Sequence, residues 1–267
     1  MAQAGCDLGP NPNVVDDAQL RSFAPPAEQA ALREYMAKLP EGVYKEYPLD
    51  PIGRFYVDDD KDAIKRYIVE KRVWEPWLLP QFAKHVKPGS TVIDAGAHIG
   101  IHTVTLAKLV GRRGRVYAFE PQRKLYRELV FNLRLNGMEN VVPLRYALGH
   151  ATMVVEMNPA VAGNEGGTPL GKGGDRVELR ALDSFAFKNV SLIKIDVEHF
   201  EDFLLEGARL TIARSRPAIV IEIMGGFDHT NPPPEAKARI EGTAALLKSM
   251  GYRLQRIHGP DYLALPE

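Results

Sequence analysis

Ser90-Thr-Val-Ile-Asp-Ala-Gly-Ala-His-Ile-Gly100 runs from a short apolar strand, through a turn with two glycines, into a segment of helical spacing. Residues 91–94 are β-branched and apolar up to an acidic end, as a buried strand requires. Gly96 permits a tight backbone turn, and Gly100 lets a helix and a ligand approach closely. A second apolar run, 115–119, ends at Glu120. In an open α/β sheet, ligands bind beyond the carboxyl ends of the strands. The free N–H groups that start the following helix, near residues 101–103, suit an anion. A carboxylate at the end of the second strand suits the two ribose hydroxyls. Together these features describe a pocket for an adenosine-bearing cofactor.

The turn discriminates between such cofactors. Nicotinamide and flavin sites use G-x-G-x-x-G, whose middle glycine makes room for the pyrophosphate. Here Gly96-Ala97-His98-Ile99-Gly100 is G-x-x-x-G, and an imidazole fills the loop. Two linked phosphates fit poorly there; the amino and carboxylate groups of S-adenosylmethionine are smaller. A triphosphate fares worse. Residues 166–172 imitate a phosphate-binding loop, but Gly173 stands where Ser or Thr must meet magnesium, and no helical pattern follows.

Composition narrows the class further. The chain has 267 residues, enough to bury a sizeable core, with 34 basic residues against 34 acidic ones. Such a balance gives no long-range pull toward nucleic acid or anionic lipid. Cys6 is the sole cysteine, so an intrachain disulfide is impossible and a cysteine-based zinc site is disfavoured. Residues 1–12 carry neither a basic nor an apolar export signal, and no apolar run reaches the ~20 residues that span a bilayer. The expectation is a cytoplasmic protein with no membrane span. Asn189-Val190-Ser191 fits a glycosylation sequon, a chance match without export.

Strands and helices alternate from residue 91 onward. Strands are expected at 91–94, 115–119, 141–148, 192–197 and 218–223, with helices at 102–110, 123–135, 201–213 and 235–250. Asn136-Gly137 caps the second of these helices. Near-continuous apolar strands between helices mean a mostly parallel sheet covered on both faces. Residues 252–257 and 262–265, joined by a short turn, close it as an antiparallel hairpin. Upstream, residues 1–26 lie loosely on the surface, 27–39 form a helix, 43–57 a hairpin, and 64–86 one or two helices broken near Glu75-Pro76. Leu- and Met-rich helix faces near the N-terminus offer a surface through which two copies could pair as a homodimer. Residues 151–185 have no helical period and read as a β-hairpin insertion with a mobile glycine-rich tip.

Asp94-Ala-Gly-Ala-His-Ile-Gly100, Phe119-Glu120-Pro121 and Lys194-Ile-Asp-Val-Glu198, in that order, resemble the FkbM family of S-adenosylmethionine-dependent methyltransferases. The likeness runs from about Trp74 to the C-terminus and includes Asn132, Asn136, Glu201, Leu205-Glu-Gly-Ala208 and the strand ending at Glu222. It implies a class I, Rossmann-like methyltransferase with a seven-stranded sheet. Two positions depart from the family: His98 replaces the usual Asn, and His199 the usual Gly. The resemblance implies that Asp94, Gly96, Ala97, Gly100, Thr103 and Glu120 hold the cofactor, with His98 and Pro121 in the same loops and Ala147-Leu148 against the adenine. It also implies O-methylation of a hydroxyl on a sugar, a glycan end or a polyketide-type product.

The chemistry is expected at the far strand ends. Asp196 and Glu198 close one strand, and Glu222 sits between Ile221 and Ile223, where a carboxylate is costly to bury unless paired or used. An alcohol needs its proton removed or shared, so Asp196 and Glu198 are expected to orient the acceptor. His199 is a candidate base, with His98 or His102 as substitutes. A variant reading gives the three carboxylates a Mg²⁺ ion. Asn231-Pro-Pro-Pro234 imitates a nucleic-acid base methylation signature, but it follows the wrong strand and lacks the stacking aromatic. The expected layout is an N-terminal cap, 1–79, over the acceptor site, and a cofactor-binding domain, 80–267, carrying the insertion 151–185. N-methylation of a small amine, and a binding protein without catalysis, remain as alternatives. Loops usually carry specificity, and Trp74, Trp77 and Tyr56 could stack on a sugar ring.

Overall fold

The computed structural model describes residues 44–58, 62–160, 163–223 and 234–267. The helix expected at 27–39, the loose segment before it, the pairing faces near the N-terminus and residues 231–233 of the triple-proline run lie outside the described residues. The described residues begin with strands β1 (Tyr44–Leu49) and β2 (Gly53–Asp58), an antiparallel hairpin as expected. Helices α1 (Ala63–Lys71) and α2 (Leu79–His85) follow, with Glu75-Pro76 in the break between them. Asp62 caps α1 by accepting the Lys65 N–H on Oδ1 at 2.8 Å.

Then the alternation sets in: β3 (Thr91–Ala95), α3 (Ile101–Val110), β4 (Arg115–Phe119), α4 (Arg123–Leu135) and β5 (Val141–Leu144). Next come β6 (Ala147–Gly149), β7 (Met153–Met157), β8 (Leu170–Gly171) and β9 (Arg176–Ala181). The chain ends with β10 (Val190–Ile195), α5 (Glu201–Glu206), α6 (Arg209–Ser215), β11 (Ala218–Glu222), α7 (Pro234–Ser249), β12 (Tyr252–His258) and β13 (Asp261–Pro266). Seven strands form the main sheet in the order β12-β13-β11-β10-β3-β4-β5. The four pairings from β11 to β5 run parallel, and β13 and β12 close the sheet antiparallel. This is the class I α/β architecture. Every residue of β10 is buried, because helices cover both faces of the sheet.

Three elements differ from the sequence reading. The strand expected at 141–148 divides: β5 stays in the main sheet, while β6 leaves it to pair in parallel with β9. Tyr146, at the division, is buried edge-on against Phe185 at 5.8 Å, and apolar spacing alone cannot register that change of sheet. The insertion is therefore more than a hairpin: β6, β9, β7 and β8 make a four-stranded sheet. The helix expected at 201–213 breaks at Gly207-Ala208. A Cβ on Gly207 would lie 1.8 Å from the Gly149 carbonyl oxygen, so the helix yields where β6 arrives. Asp183 then caps α6 by accepting the Leu210 and Thr211 N–H groups.

The N-terminal hairpin shares its core with the sheet domain. Leu49, Phe55, Val57 and Ile68 pack with Ile99, Ile101, Leu125 and Leu129. A buried charge cluster adds to this seam. The Lys65 ammonium, fully buried, meets Glu128 at 2.8 Å, Glu165 of the insertion at 2.9 Å, and Asp58. Lys124 reaches Asp58 and Glu165 at 2.6 Å each. Burial pulls the Lys65 pKa down, but Glu128, Asp58 and Glu165 overcome it and hold the ammonium above its ordinary range. The glycine-rich segment is thus tied down at Glu165, whose N–H also donates to Asp62 at 2.7 Å.

Removing one member of a buried ion pair strands its partners' charge. Lys65→Met is expected to lower unfolding free energy in urea by about 3 kcal/mol or more. A loss under about 1 kcal/mol would mean that Lys124 alone balances the three carboxylates.

Candidate active site

The turn between β3 and α3 is set by one close approach. β3 and β10 are parallel neighbours in the register Ala95↔Ile195, so the next residues, Gly96 and Asp196, meet at the sheet edge. A Cβ on Gly96 would lie 1.7 Å from the Asp196 carbonyl oxygen, and its φ is +81°. Only glycine satisfies both demands. The Gly96 and Ala97 N–H groups donate to the Phe119 carbonyl at 2.9 Å, fixing the turn to the end of β4 as well. No side chain caps α3, so its first N–H groups stay available to an anion.

Glu120 follows β4 and is 4% exposed. Its two oxygens accept the His98 and Gln122 N–H groups, each at 2.9 Å, which aims the carboxylate along the cavity wall. Burial pushes its pKa up to about 7, against those two backbone bonds. Gly96, Ala97, His98, Pro121, Ala147 and Leu148 line the same cavity, so six sequence-derived positions gather there with Glu120. Met157 and Tyr146 extend its apolar side. Asp94, Gly100 and Thr103 do not line it. Asp94 is fully buried; its Oδ2 accepts the Thr103 hydroxyl at 2.6 Å, and Lys194 Nζ lies 3.8 Å from its Oδ1. That pair braces the turn from behind.

The other end of the cavity is acidic. Asp196, Glu198 and Glu222 line it, with one carboxylate oxygen from each within 4.8 Å of the others. Lys194 Nζ donates to Asp196 at 3.0 Å and to the Gly96 carbonyl at 3.2 Å. Burial opposes ionisation of Asp196, but Lys194 and a hydrogen bond with Glu222 hold its carboxyl below the usual range. Glu222 is pushed up to about 11 by burial and by the Asp196 charge. Asp196 is therefore the ionised partner and Glu222 the protonated one. Glu198 rises to about 7 through burial and the charges of Asp196 and Glu201, and no described residue hydrogen-bonds its carboxylate. One proton and one ammonium already offset much of the charge a metal ion would otherwise neutralise.

His199 stands apart from this cavity. Its side chain is exposed, its Nδ1 contacts Arg239, and it does not line the cavity. Glu198 and His199 both have left-handed backbones, φ +48° and +73°, and this redirects His199 away from the strand line. The sequence reading quotes Lys194 in a motif but gives it no role, although a lysine inside an apolar strand signals a buried partner. Glu75 and His102 also line the cavity; Glu75 comes from the break between α1 and α2, where sequence gives no sign of its direction. Trp74 and Ile64 join the wall, as do Asn164, Gly166 and Thr168 of the insertion. Among the described residues no helix is long and apolar enough to cross a membrane.

A family model described as "Methyltransferase FkbM domain" matches residues 94–254. Among solved structures, FkbM methyltransferase from Methylobacillus flagellatus KT is 19% identical, at a TM-score of 0.48 over 70% of this chain and 50% of that one. A putative rRNA methylase from Clostridium thermocellum is 18% identical, at a TM-score of 0.47 over 70% and 90%. Aeropyrum pernix fibrillarin, in complex with natively bound S-adenosyl-L-methionine, is 16% identical, at 0.43 over 71% and 75%. No curated protein matches the chain.

A ribose diol donates best to an ionised carboxylate. Because the unliganded Glu120 holds its proton up to about pH 7, affinity for an adenosyl ligand should rise between pH 6 and pH 8. Glu120→Gln should weaken binding about tenfold at pH 8 and flatten that slope, by calorimetry. A slope that persists in the variant assigns it to another group.

Proposed function

The chain belongs to the FkbM methyltransferase family, and on that premise we propose that it methylates a hydroxyl of a sugar, a glycan end or a polyketide-type small molecule. S-adenosylmethionine, when bound, supplies an electrophilic methyl group on a sulfonium. The residues present suit that molecule: Glu120 for the ribose, Ala147, Leu148 and Met157 for the adenine, and the uncapped start of α3 for the carboxylate.

One observation carries the O-methyl reading. Glu198 presents a carboxylate that no described residue occupies, at the strand ends, with its pKa near neutral. A base works best when its pKa lies near the operating pH. Glu198 would accept the proton of the acceptor hydroxyl and so leave its oxygen nucleophilic. Asp196 accepts a hydrogen bond from a neighbouring hydroxyl, and protonated Glu222 donates one. Lys194 keeps Asp196 ionised and anchors it to the glycine turn. Much of the remaining rate comes from position, since the donor already carries a good leaving group. Residues up to 79 and the insertion act as the cap over the acceptor: Ile64, Trp74 and Glu75 from the first, Asn164 and Gly166 from the second.

With saturating cofactor, kcat should climb as pH passes about 7, because Glu198 accepts a proton only when ionised. Glu198→Gln should cut kcat roughly 10²-fold and remove that limb, read as S-adenosylhomocysteine formed per second. EDTA should leave kcat unchanged; a loss restored by Mg²⁺ would turn the three carboxylates into metal ligands.

A further inference from the structure

The acceptor end of the cavity has a charge bias that the reaction itself does not require. Beside Asp196 and Glu198, a further carboxylate reaches it from Glu75. The only ammonium among the lining residues is Lys194, already shared by Asp94 and Asp196, and no arginine is among them. In a partly enclosed site such an excess acts at low dielectric, so it repels anions and gathers cations.

Glu75 is placed with unusual firmness. Its backbone is left-handed, φ +42°, a strained conformation for a non-glycine residue, of the kind that collects at ligand clamps. Its Oε2 meets His102 Nε2 at 2.7 Å, and the other oxygen has no hydrogen bond from the described residues. His102 is 5% exposed, lines the cavity, and has its Nδ1 buried without a partner. Next to Glu75, Trp74 also lines the cavity, and its ring stands edge-on to Tyr67 with centroids 5.9 Å apart. A carboxylate beside an aromatic face is the usual reception for an ammonium group.

We propose that the acceptor is an amino sugar or a similar amino alcohol, carrying a protonated amine near the methylated hydroxyl, and that Glu75 with Trp74 binds that ammonium. The assignment rests on the methyl-transfer reading above and names its substrate class. It also accounts for the choice of atom. An ammonium held by a carboxylate keeps its proton and has no lone pair, so the amine cannot compete for the methyl group. The hydroxyl proton passes to Glu198, the C–O bond forms, and the sulfur retains the electrons of the broken C–S bond. Glu75 lies outside residues 94–254, so this selectivity belongs to the N-terminal segment rather than to the shared domain.

The test compares neamine, its N-acetylated form and a digalacturonate, each with S-adenosylmethionine. Readouts are S-adenosylhomocysteine formation, the position of the methyl group by mass spectrometry, and thermal shift of the protein saturated with S-adenosylhomocysteine. Neamine should be preferred over its acetylated form by about tenfold in KM, with an O-linked methyl and an inert uronide. Glu75→Gln should raise KM for neamine far more than it lowers kcat, erasing the preference, and Glu75→Asp should restore part of it. A fold-stabilising role alone would not separate the charged acceptor from the acetylated one. Equal use of acetylated or uronide acceptors, neither turnover nor thermal shift with neamine, or a preference intact in Glu75→Gln overturns the proposal. Calorimetry of the unsubstituted protein with S-adenosylhomocysteine separates the two failures. Absence of binding there sinks the methyl-transfer reading, and this substrate class falls with it.

Discussion

A single steric contact organises the site: the Cα of Gly96 lies so near the Asp196 carbonyl that no side chain fits between them. Parallel pairing of β3 with β10 delivers both residues to the sheet edge in register. The Gly96 turn and the carboxylate end of the cavity are therefore two sides of one backbone contact. Lys194 reinforces it electrically, touching the Gly96 carbonyl, Asp196 and, at longer range, Asp94. A buried ammonium shared in this way keeps Asp196 charged where desolvation would otherwise neutralise it. The proton then settles on Glu222, and Glu198 is left with a pKa in the working range.

Much of this was readable from the chain because it is local. A β-branched strand ending in Asp, a glycine turn and a second strand ending in Glu are short-range patterns, and the turn and Glu120 stand where they were expected. Other features depend on partners distant in sequence. That Asp94 and Thr103 bind each other rather than line the cavity is a consequence of their packing. The change of sheet at Tyr146 and the helix break at Gly207 are answers to each other, since β6 and α5 meet there. Neither leaves a mark in hydrophobic spacing. His199 shows a further limit: two successive left-handed residues end the strand's alternation, so its direction cannot be extrapolated from Asp196.

The sequence marks the segment before residue 80 as a cap made of a hairpin and helices, but leaves open which of its residues reach the cavity. Its contribution follows from packing on α4 and the α3 start, where Phe55, Val57 and Ile68 join the common core. That docking carries Ile64 and Trp74 to the cavity wall. Loops and appended segments often hold specificity on a rigid scaffold, and here the scaffold side is the turn and the carboxylates.

The buried cluster around Lys65 has an evolutionary corollary. One ammonium serves Asp58 of β2, Glu128 of α4 and Glu165 of the insertion at once. Three pieces of chain, separated widely in sequence, are thereby bound into a common inheritance. A chimera that imports a foreign insertion without its matching hairpin and first helix would bury an unanswered charge. Either segment should thus be exchangeable only together with the other, or by point changes that leave the cluster intact.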